Sequence, residues 1–398
     1  MDYQAQYDSQ NLGEQVIRTL AEEPATRNEL CELLDVSRTT LGRALSDLLE
    51  SRSIRTVTQP AAERGRPAQK LELARNTVYA IGMDISRRRG IAIATNRLGE
   101  TLAVTRTEAE ENSSWEELLS QLCHSLSKAL EKDFDDQKVA HVGIGIPVPI
   151  GHETWRRRHE PDSLVNKLKK QVGIFWEAPI LVDNTIRMAA LGEARWGAGQ
   201  NLESQLYVRI SRGITSCATI HNVLTAGADG YAGEIGHMNY PGAKEKCHCG
   251  QTGCIETIAT EAKICERAGV TTLEQVREAL ENPQNSHHQK AKVALKDATD
   301  AVALACANAT FVINPAQIVL AGAVPTLIPQ FTPMVAEALQ ARLIPSLHEN
   351  LKVVNTSQNS EGAARGAIAA VSTYLQQKQL SKMLKERHAI NERSRNFG

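Results

Sequence analysis

No apolar run in this chain of 398 residues approaches the ~20 needed to span a bilayer. The start, Met1-Asp2-Tyr3-Gln4, is polar and does not read as a secretory leader. A cytoplasmic protein without a membrane partner is therefore expected. An excess of either charge is also missing: 45 Lys and Arg stand against 46 Asp and Glu. No chain-wide polybasic or acidic partner follows, and any nucleic-acid surface has to be local. No short tandem repeat is visible. Eight cysteines in a reducing compartment point to metal ligands and buried thiols rather than bridges. Cys31, Cys123, Cys217, Cys265 and Cys306 read as core residues. The length exceeds one ordinary core and predicts two or three domains.

Residues 1–75 read as a winged helix-turn-helix DNA-binding domain. A first helix from Leu12 to Ala21 places Leu12, Val16, Ile17 and Leu20 at helical spacing, with Pro24 beyond its end. Thr26, with Glu29 three residues on, forms a capping box for a second helix that presents Leu30, Leu33 and Leu34 to the core. Asp35-Val36-Ser37 makes the turn. Ser37 then caps a third helix bearing Arg38, Thr39, Thr40 and Arg43, the candidate recognition helix. Two strands, Ser53 to Thr58 and Gln69 to Leu73, flank a loop containing Arg64-Gly65-Arg66-Pro67. This is the wing, compact and cationic enough to reach a narrow A·T-rich minor groove. Charge follows the same division. Residues 1–36 carry a net of minus six and residues 37–75 a net of plus four, so the basic half is the half proposed to touch DNA. A protein-binding winged helix is the alternative.

From Val78 onward, strands alternate with helices. Val78 to Asp84, Gly90 to Thr95, Thr101 to Arg106 and Val139 to Ile146 read as strands, and Trp115 to Leu130 as a helix. Ile180-Leu181-Val182-Asp183 opens a second lobe, with later strands near Gln205 to Ile210, Thr215 to Ile220 and Ile318 to Leu320. Residues 381–398 form a polar C-terminal tail.

The densest chemistry lies in Cys247-His248-Cys249-Gly250-Gln251-Thr252-Gly253-Cys254-Ile255-Glu256, preceded by Gly233-Glu234-Ile235-Gly236-His237. Three thiolates plus an imidazole supply the four ligands that tetrahedral zinc prefers. Gly250 and Gly253 provide bends that let close cysteines converge. His248 is a second candidate imidazole, but its side chain should point away from a knuckle built by its neighbours, which favours His237. One structural Zn²⁺ per chain, on His237, Cys247, Cys249 and Cys254, is expected. A free-thiol loop is the alternative; a disulfide is disfavoured because Cys247 and Cys249 are too close and three cysteines leave one over.

This Glu-x-Gly-His followed by Cys-x-Cys-Gly-x-x-Gly-Cys-x-Glu resembles the ROK family (repressor, open reading frame, kinase), in the branch with an N-terminal DNA-binding domain. The resemblance covers nearly the whole chain, and the family's repressors carry a similar Gly-Arg-Pro in the wing. It implies an α/β architecture in which the winged helix-turn-helix precedes a two-lobed, actin-like (ribonuclease H-like) sugar-kinase fold over residues 76–380. It implies that Glu234, His237 and Glu256 line a sugar site while His237 and the three cysteines hold zinc. Asn184 also matches a group that similar proteins aim at a pyranose.

The kinase machinery departs from that pattern. The family's catalytic Asp lies in an Asn-Asp-x-Asn run, where this chain has Asn184-Thr185-Ile186-Arg187. A threonine hydroxyl holds its proton too tightly to act as the base. A slipped register would make Asp183 the base instead, at the cost of displacing Asn184. The family's first phosphate loop, Asp-x-Gly-Gly-Thr, appears as Asp84-Ile85-Ser86-Arg87-Arg88-Arg89-Gly90. The second, rich in glycine, is Ser211-Arg212-Gly213-Ile214-Thr215-Ser216-Cys217, and the adenosine-side turn is Leu320-Ala321-Gly322-Ala323. Bulky side chains fill the approach that glycines leave open for phosphate. Arg87, Arg88, Arg89, Arg209 and Arg212 either gather around an anion or remain solvated and paired.

The expected function is a transcriptional regulator, a repressor of carbohydrate-related genes, that senses a small molecule through a kinase-like module without kinase activity. Its expected partners are a double-stranded operator with dyad symmetry, a second copy (homodimer or homotetramer), and a sugar, sugar phosphate or sugar acid. Arg187, one helical step from Thr185, brings a cation to the same wall and favours the anionic forms. A hinge between lobes, closed by ligand, is expected to alter the placement of the two recognition helices. The alternatives are an active sugar kinase with an accessory DNA-binding domain and a zinc-containing scaffold without a sugar ligand.

Overall fold

A computed structural model describes residues 3–50, 53–59, 68–74, 78–86, 89–108, 113–131, 139–147, 159–228, 230–358 and 360–373. Its contacts divide the chain into two compact units. The first comprises Met1–Gly143, Lys167–Leu181 and Val371–Gly398, and the second Ile144–Asn166 and Val182–Ala370.

The first unit opens with three helices, α1 (Tyr3–Glu22), α2 (Arg27–Leu33) and α3 (Arg38–Glu50), followed by the antiparallel pair β1 (Ile54–Gln59) and β2 (Ala68–Leu73). The helical start at Tyr3 precedes the expected Leu12, because the polar residues before Leu12 carry no apolar period for a pattern to detect. Leu12, Val16, Ile17 and Leu20 are buried as expected, against Leu30, Leu41, Leu45, Leu48, Ile54 and Leu71. Fully burying each of these large side chains stabilises the domain by roughly 1.5–3 kcal/mol. The capping box forms: Thr26 N donates to Glu29 Oε2 at 2.6 Å and Glu29 N to Thr26 Oγ1 at 3.2 Å. Leu33 corrects the reading, since it is 67% exposed while Leu34 packs on the core. From Leu30, a step of four residues passes a full turn by only about 40°, whereas a step of three falls about 60° short and leaves Leu33 on the solvent side. Asp35 turns the chain with φ of 49°. Ala25 and Leu71 exchange backbone hydrogen bonds at 3.0 and 2.7 Å, fastening the α1–α2 connection to β2.

Next come β3 (Ala80–Ile85), β4 (Arg89–Thr95), β5 (Thr101–Glu108), α4 (Trp115–Glu131), β6 (His141–Ile146), α5 (Leu164–Gly173) and β7 (Ile180–Asn184). The sheet order is β5-β4-β3-β6-β7, with an antiparallel meander over its first three strands. His141 on β6 is buried, with its Nε2 3.1 Å from Ser372 Oγ and its ring edge-on to Tyr79. Burial, with the nearby Arg97 charge, pushes its pKa down to about 4.

The second unit continues through α6 (Thr185–Trp196), β8 (Ser204–Ile210), β9 (Ile214–Ile220), β10 (Val223–Leu224), a 3-10 turn (Ile235–His237), α7 (Glu256–Ala259), α8 (Glu261–Ala268), α9 (Leu273–Glu281) and α10 (His288–Ile313). It ends with β11 (Gln317–Ala321), α11 (Ala323–Leu327), α12 (Phe331–Gln340), α13 (Pro345–His348), β12 (Lys352–Asn355) and a helix over residues 362–373. The order β10-β9-β8-β11-β12 repeats the pattern of the first sheet: third, second, first, fourth, fifth. That repetition is the duplication expected of an actin-like sugar-kinase fold. Alanines at 291, 294, 298, 301 and 305 are buried along α10, where small side chains admit close neighbours. Helix α6 is anchored by Glu193, whose fully buried carboxylate accepts from Ala198 N, Thr356 Oγ1, Ser357 N and Oγ, and Gln358 N. A buried carboxylate is tolerable where donors surround it in this way. The other cysteines are mostly as expected: Cys123, Cys217, Cys265 and Cys306 are buried, and Cys31 is partly buried.

Candidate functional site

On α3, Leu41, Ala44, Leu45 and Leu48 face the core, which leaves Ser37, Arg38, Thr39, Thr40 and Arg43 exposed on the opposite side. Ser37 Oγ accepts from Thr40 N at 3.2 Å and lies 2.8 Å from Thr40 Oγ1, so the cap fixes the first turn. Ser46 and Asp47 share this exposed face. They were not among the expected contacts, although their spacing of three and four from Arg43 is a readable signal. Arg64, Gly65, Arg66 and Pro67 lie outside the described residues, as do Arg87, Arg88 and residues 381–398.

The cysteine motif folds into a tight hairpin. Lys246 pairs with Thr252 and Asn239 with Cys254 in isolated antiparallel bridges, and Cys247 N donates to Gln251 O at 2.8 Å. Gly250 and Gly253 take φ of 97° and 80°, conformations in which an L side chain is strained, and these are the expected bends. One ligand atom from each of His237, Cys247, Cys249 and Cys254 lies within 4.8 Å of the others. Cys249 Sγ is 3.6 Å from Cys254 Sγ, and Cys247 Sγ is 3.7 Å from His237 Nδ1. At Zn–S near 2.3 Å, two thiolates on a tetrahedral ion stand ~3.8 Å apart, so these residues fit that donor set. The thiols differ in environment. Burial pushes Cys254 up to about 12 and raises Cys247, whereas the Gln251 backbone N–H lowers exposed Cys249.

His248 does not point clear of this cluster. Its side chain is 76% exposed, but Nδ1 sits 3.7 Å from Cys247 Sγ and 3.6 Å from Glu256 Oε2. The tight knuckle folds the ring back over its own hairpin, a tertiary placement that residue spacing does not specify.

Two links join the hairpin to the carboxylates. Ile255 N donates to Met238 O at 3.0 Å, holding the segment that carries Cys254 and Glu256 against the one that carries His237. Glu256 opens α7, and its Oε1 accepts from Ile214 N at 2.6 Å. Gly236 permits this packing, since a Cβ there would meet Ile214 O and Glu256 Cγ. Glu256 Oε2 is buried without a hydrogen-bond partner among the described residues and lies 3.9 Å from His237 Nδ1. Glu234 stands beside them. Burial raises its pKa, opposed by the charges of His237 and Arg187 and reinforced by Glu256.

Asn184 and Arg187 build the neighbouring wall. Asn184 caps α6 through Oδ1, which accepts from Ile186 N at 2.8 Å. Arg187 is buried, with Nη1 3.2 Å from Asp183 Oδ1 and Nη2 3.0 Å from Gly230 O. Thr185 is the first residue of α6. Asp183, the base of the slipped register, is engaged by both the Asn184 amide and Arg187. The turn after β8 is likewise committed: Ser211 N donates to Gly213 O, Glu261 N to Ser211 O, and Ile214 N to Glu256.

Comparison with known proteins agrees with the fold of duplicated sheets. The xylose repressor of Caldicellulosiruptor bescii is 22% identical over 363 residues, covering 87% of this chain and 91% of the relative. The DNA-binding transcriptional dual regulator NagC of Escherichia coli K12 is 26% identical over 285 residues, covering 66% and 69%. Among solved structures, a ROK family transcriptional regulator described as a homolog of the E. coli MLC protein superposes with a TM-score of 0.71 at 19% identity, covering 92% of this chain and 96% of its own. A model described as the HVO_A0261 N-terminal domain matches residues 9–62. The ROK family model matches residues 80–374, most of the chain and all of the cysteine hairpin and carboxylates just described, and the protein belongs to the ROK family.

Proposed function

We propose that this protein is a sugar-responsive transcriptional repressor of carbohydrate-related genes. In this reading residues 1–75 bind DNA, residues 76–380 sense the effector, and residues 381–398 are a tail. The observation that carries it is the coexistence, in one ROK chain, of a capped α3 with Arg38 and Arg43 exposed and of Thr185 at the position of the kinase base. Its relatives include a xylose repressor and an N-acetylglucosamine repressor of E. coli O6:H1, names that pair a sugar with repression, and the DNA-binding transcriptional dual regulator NagC.

The chain's own residues divide the work. Arg38, Thr39, Thr40 and Arg43 read the major groove, with Ser37 fixing the first turn, and Arg64 and Arg66 in the wing loop reach the minor groove. Two copies place their α3 helices on half-sites about one helical turn, ~34 Å, apart. Asn184, Glu234, His237 and Glu256 hold the hydroxyls of a sugar-like effector. Arg187 contributes charge and position to that wall. Because it already holds Asp183 and Gly230, an anionic sugar gains less from it than from a free guanidinium, which favours a neutral sugar. His237, Cys247, Cys249 and Cys254 would hold one zinc ion, which would supply a fixed cross-link and no open position for water. Phosphoryl transfer is lost with the base.

Footprinting with and without D-xylose or N-acetyl-D-glucosamine, beside an ATP-turnover assay with the same sugars, tests the reading. A dyad footprint altered by sugar and no turnover are expected. Sugar-dependent ATP consumption would establish the kinase alternative, and loss of all sugar binding with intact zinc would leave a scaffold.

A further inference from the structure

Glu256 presents an asymmetry that its cap-like contact with Ile214 leaves unresolved. Oε1 is fixed by a 2.6 Å hydrogen bond, while Oε2, in a side chain only 9% exposed, has no donor among the described residues. An ionised carboxylate only accepts, and a buried acceptor of this kind calls for a donor. Two imidazole nitrogens stand just beyond hydrogen-bond reach. His237 Nδ1, at 3.9 Å, belongs to the metal cluster. His248 Nδ1, at 3.6 Å, lies outside the four-residue cysteine cluster, groups instead with His237 and Glu256, and belongs to a largely exposed side chain. His248 also faces Cys247 Sγ at 3.7 Å, and its ring packs edge-on to His237 with centroids 5.5 Å apart.

We propose that His248 is an effector-contacting residue, forming with Glu256 a clamp for one hydroxyl of a polyhydroxylated ligand. A hydroxyl both donates and accepts. It can give its proton to Glu256 Oε2 and receive one from the His248 ring, whereas a carboxylate or phosphate oxygen at the same place would face Glu256 as like charge. The clamp selects a neutral polyol over an anion on its own account. Its position in the chain couples it to the metal hairpin, because His248 is carried between Cys247 and Cys249. This inference rests on the sugar-sensing reading above.

Calorimetric titration of full-length, zinc-loaded protein with D-xylose and with N-acetyl-D-glucosamine tests it, with zinc content measured on each sample. His248→Ala, at an exposed position, is expected to keep its zinc and weaken the sugar that binds by about tenfold, the equivalent of one lost hydrogen bond near 1.4 kcal/mol. His248→Gln, which retains a donor, should recover part of that loss. Equal affinity in wild type and His248→Ala would overturn the clamp and leave the sugar-sensing reading intact. Loss of zinc in His248→Ala would overturn it by making His248 a metal-site residue. Absence of binding by wild type itself would remove the reading on which the clamp depends, and the clamp with it.

Discussion

Arg187 donates from Nη2 to the carbonyl of Gly230, forty-three residues away, at 3.0 Å while its Nη1 holds Asp183. Where the family pattern has an asparagine, this chain has a buried guanidinium that fastens the segment leading to Glu234 onto the first turn of α6. Removing one partner of a buried ion pair strands the other, so Arg187→Ala should destabilise the protein by roughly 3 kcal/mol. Denaturant unfolding measures that cost. Arg187→Lys, which keeps charge but not the two-pronged reach, should fall between. A change below about 0.5 kcal/mol in the alanine variant would mean that the contact is not maintained in solution.

The metal hairpin makes a separate prediction. Cys249→Ala removes an exposed ligand without opening a core cavity, so any large loss of stability must come through the metal. Wild type should carry about one zinc per chain by elemental analysis, and the variant much less, with a lower Tm. Wild type purified with little tightly held metal would refute the assignment.

The face of α3 can be tested against salt. Arg38→Ala and Arg43→Ala should each weaken operator binding by about 1–3 kcal/mol where they read bases, with altered base preference. Arg66→Ala should weaken chiefly those sites with a narrow A·T-rich flank. Binding curves at several salt concentrations separate the roles, because a lost phosphate contact flattens the salt slope by about one counterion. Unchanged binding in all three variants would move the DNA interface elsewhere.

His141 sets a pH dependence whose direction follows from its burial. Its folded pKa is near 4, against 6.5 for an ordinary histidine. Between those values the unfolded chain binds the proton and the folded chain does not, so stability rises with pH across this window and is lost on acidification. The shift corresponds to roughly 3 kcal/mol. Unfolding midpoints of wild type and His141→Asn, followed from pH 7 to pH 4, should converge as pH falls. Parallel curves would mean that His141 is protonated within the fold.

Much was legible in the residues because it depends on local chemistry. The capping box at Thr26 and Glu29, the turn at Asp35 and the bends at Gly250 and Gly253 are short-range constraints of backbone hydrogen bonding and φ. The buried stripe of α1 and α3 follows from helical period. The early start of α1 was not legible, since polar residues carry no period, and the orientation of Leu33 was misread because α2 is too short to average out its two flanks.

Sequence alone therefore determined the main run of helices and strands, which four side chains can meet around a metal, and that Thr185 cannot serve as a base, since each depends on residue type and spacing. Only the tertiary structure decided how those groups are engaged. It tied Arg187 to Asp183 and Gly230, turned His248 toward Glu256, and left Glu256 Oε2 without a donor among the described residues. Those outcomes depend on contacts between residues far apart in the chain, whose distances are set by packing and backbone pairing rather than by any local preference.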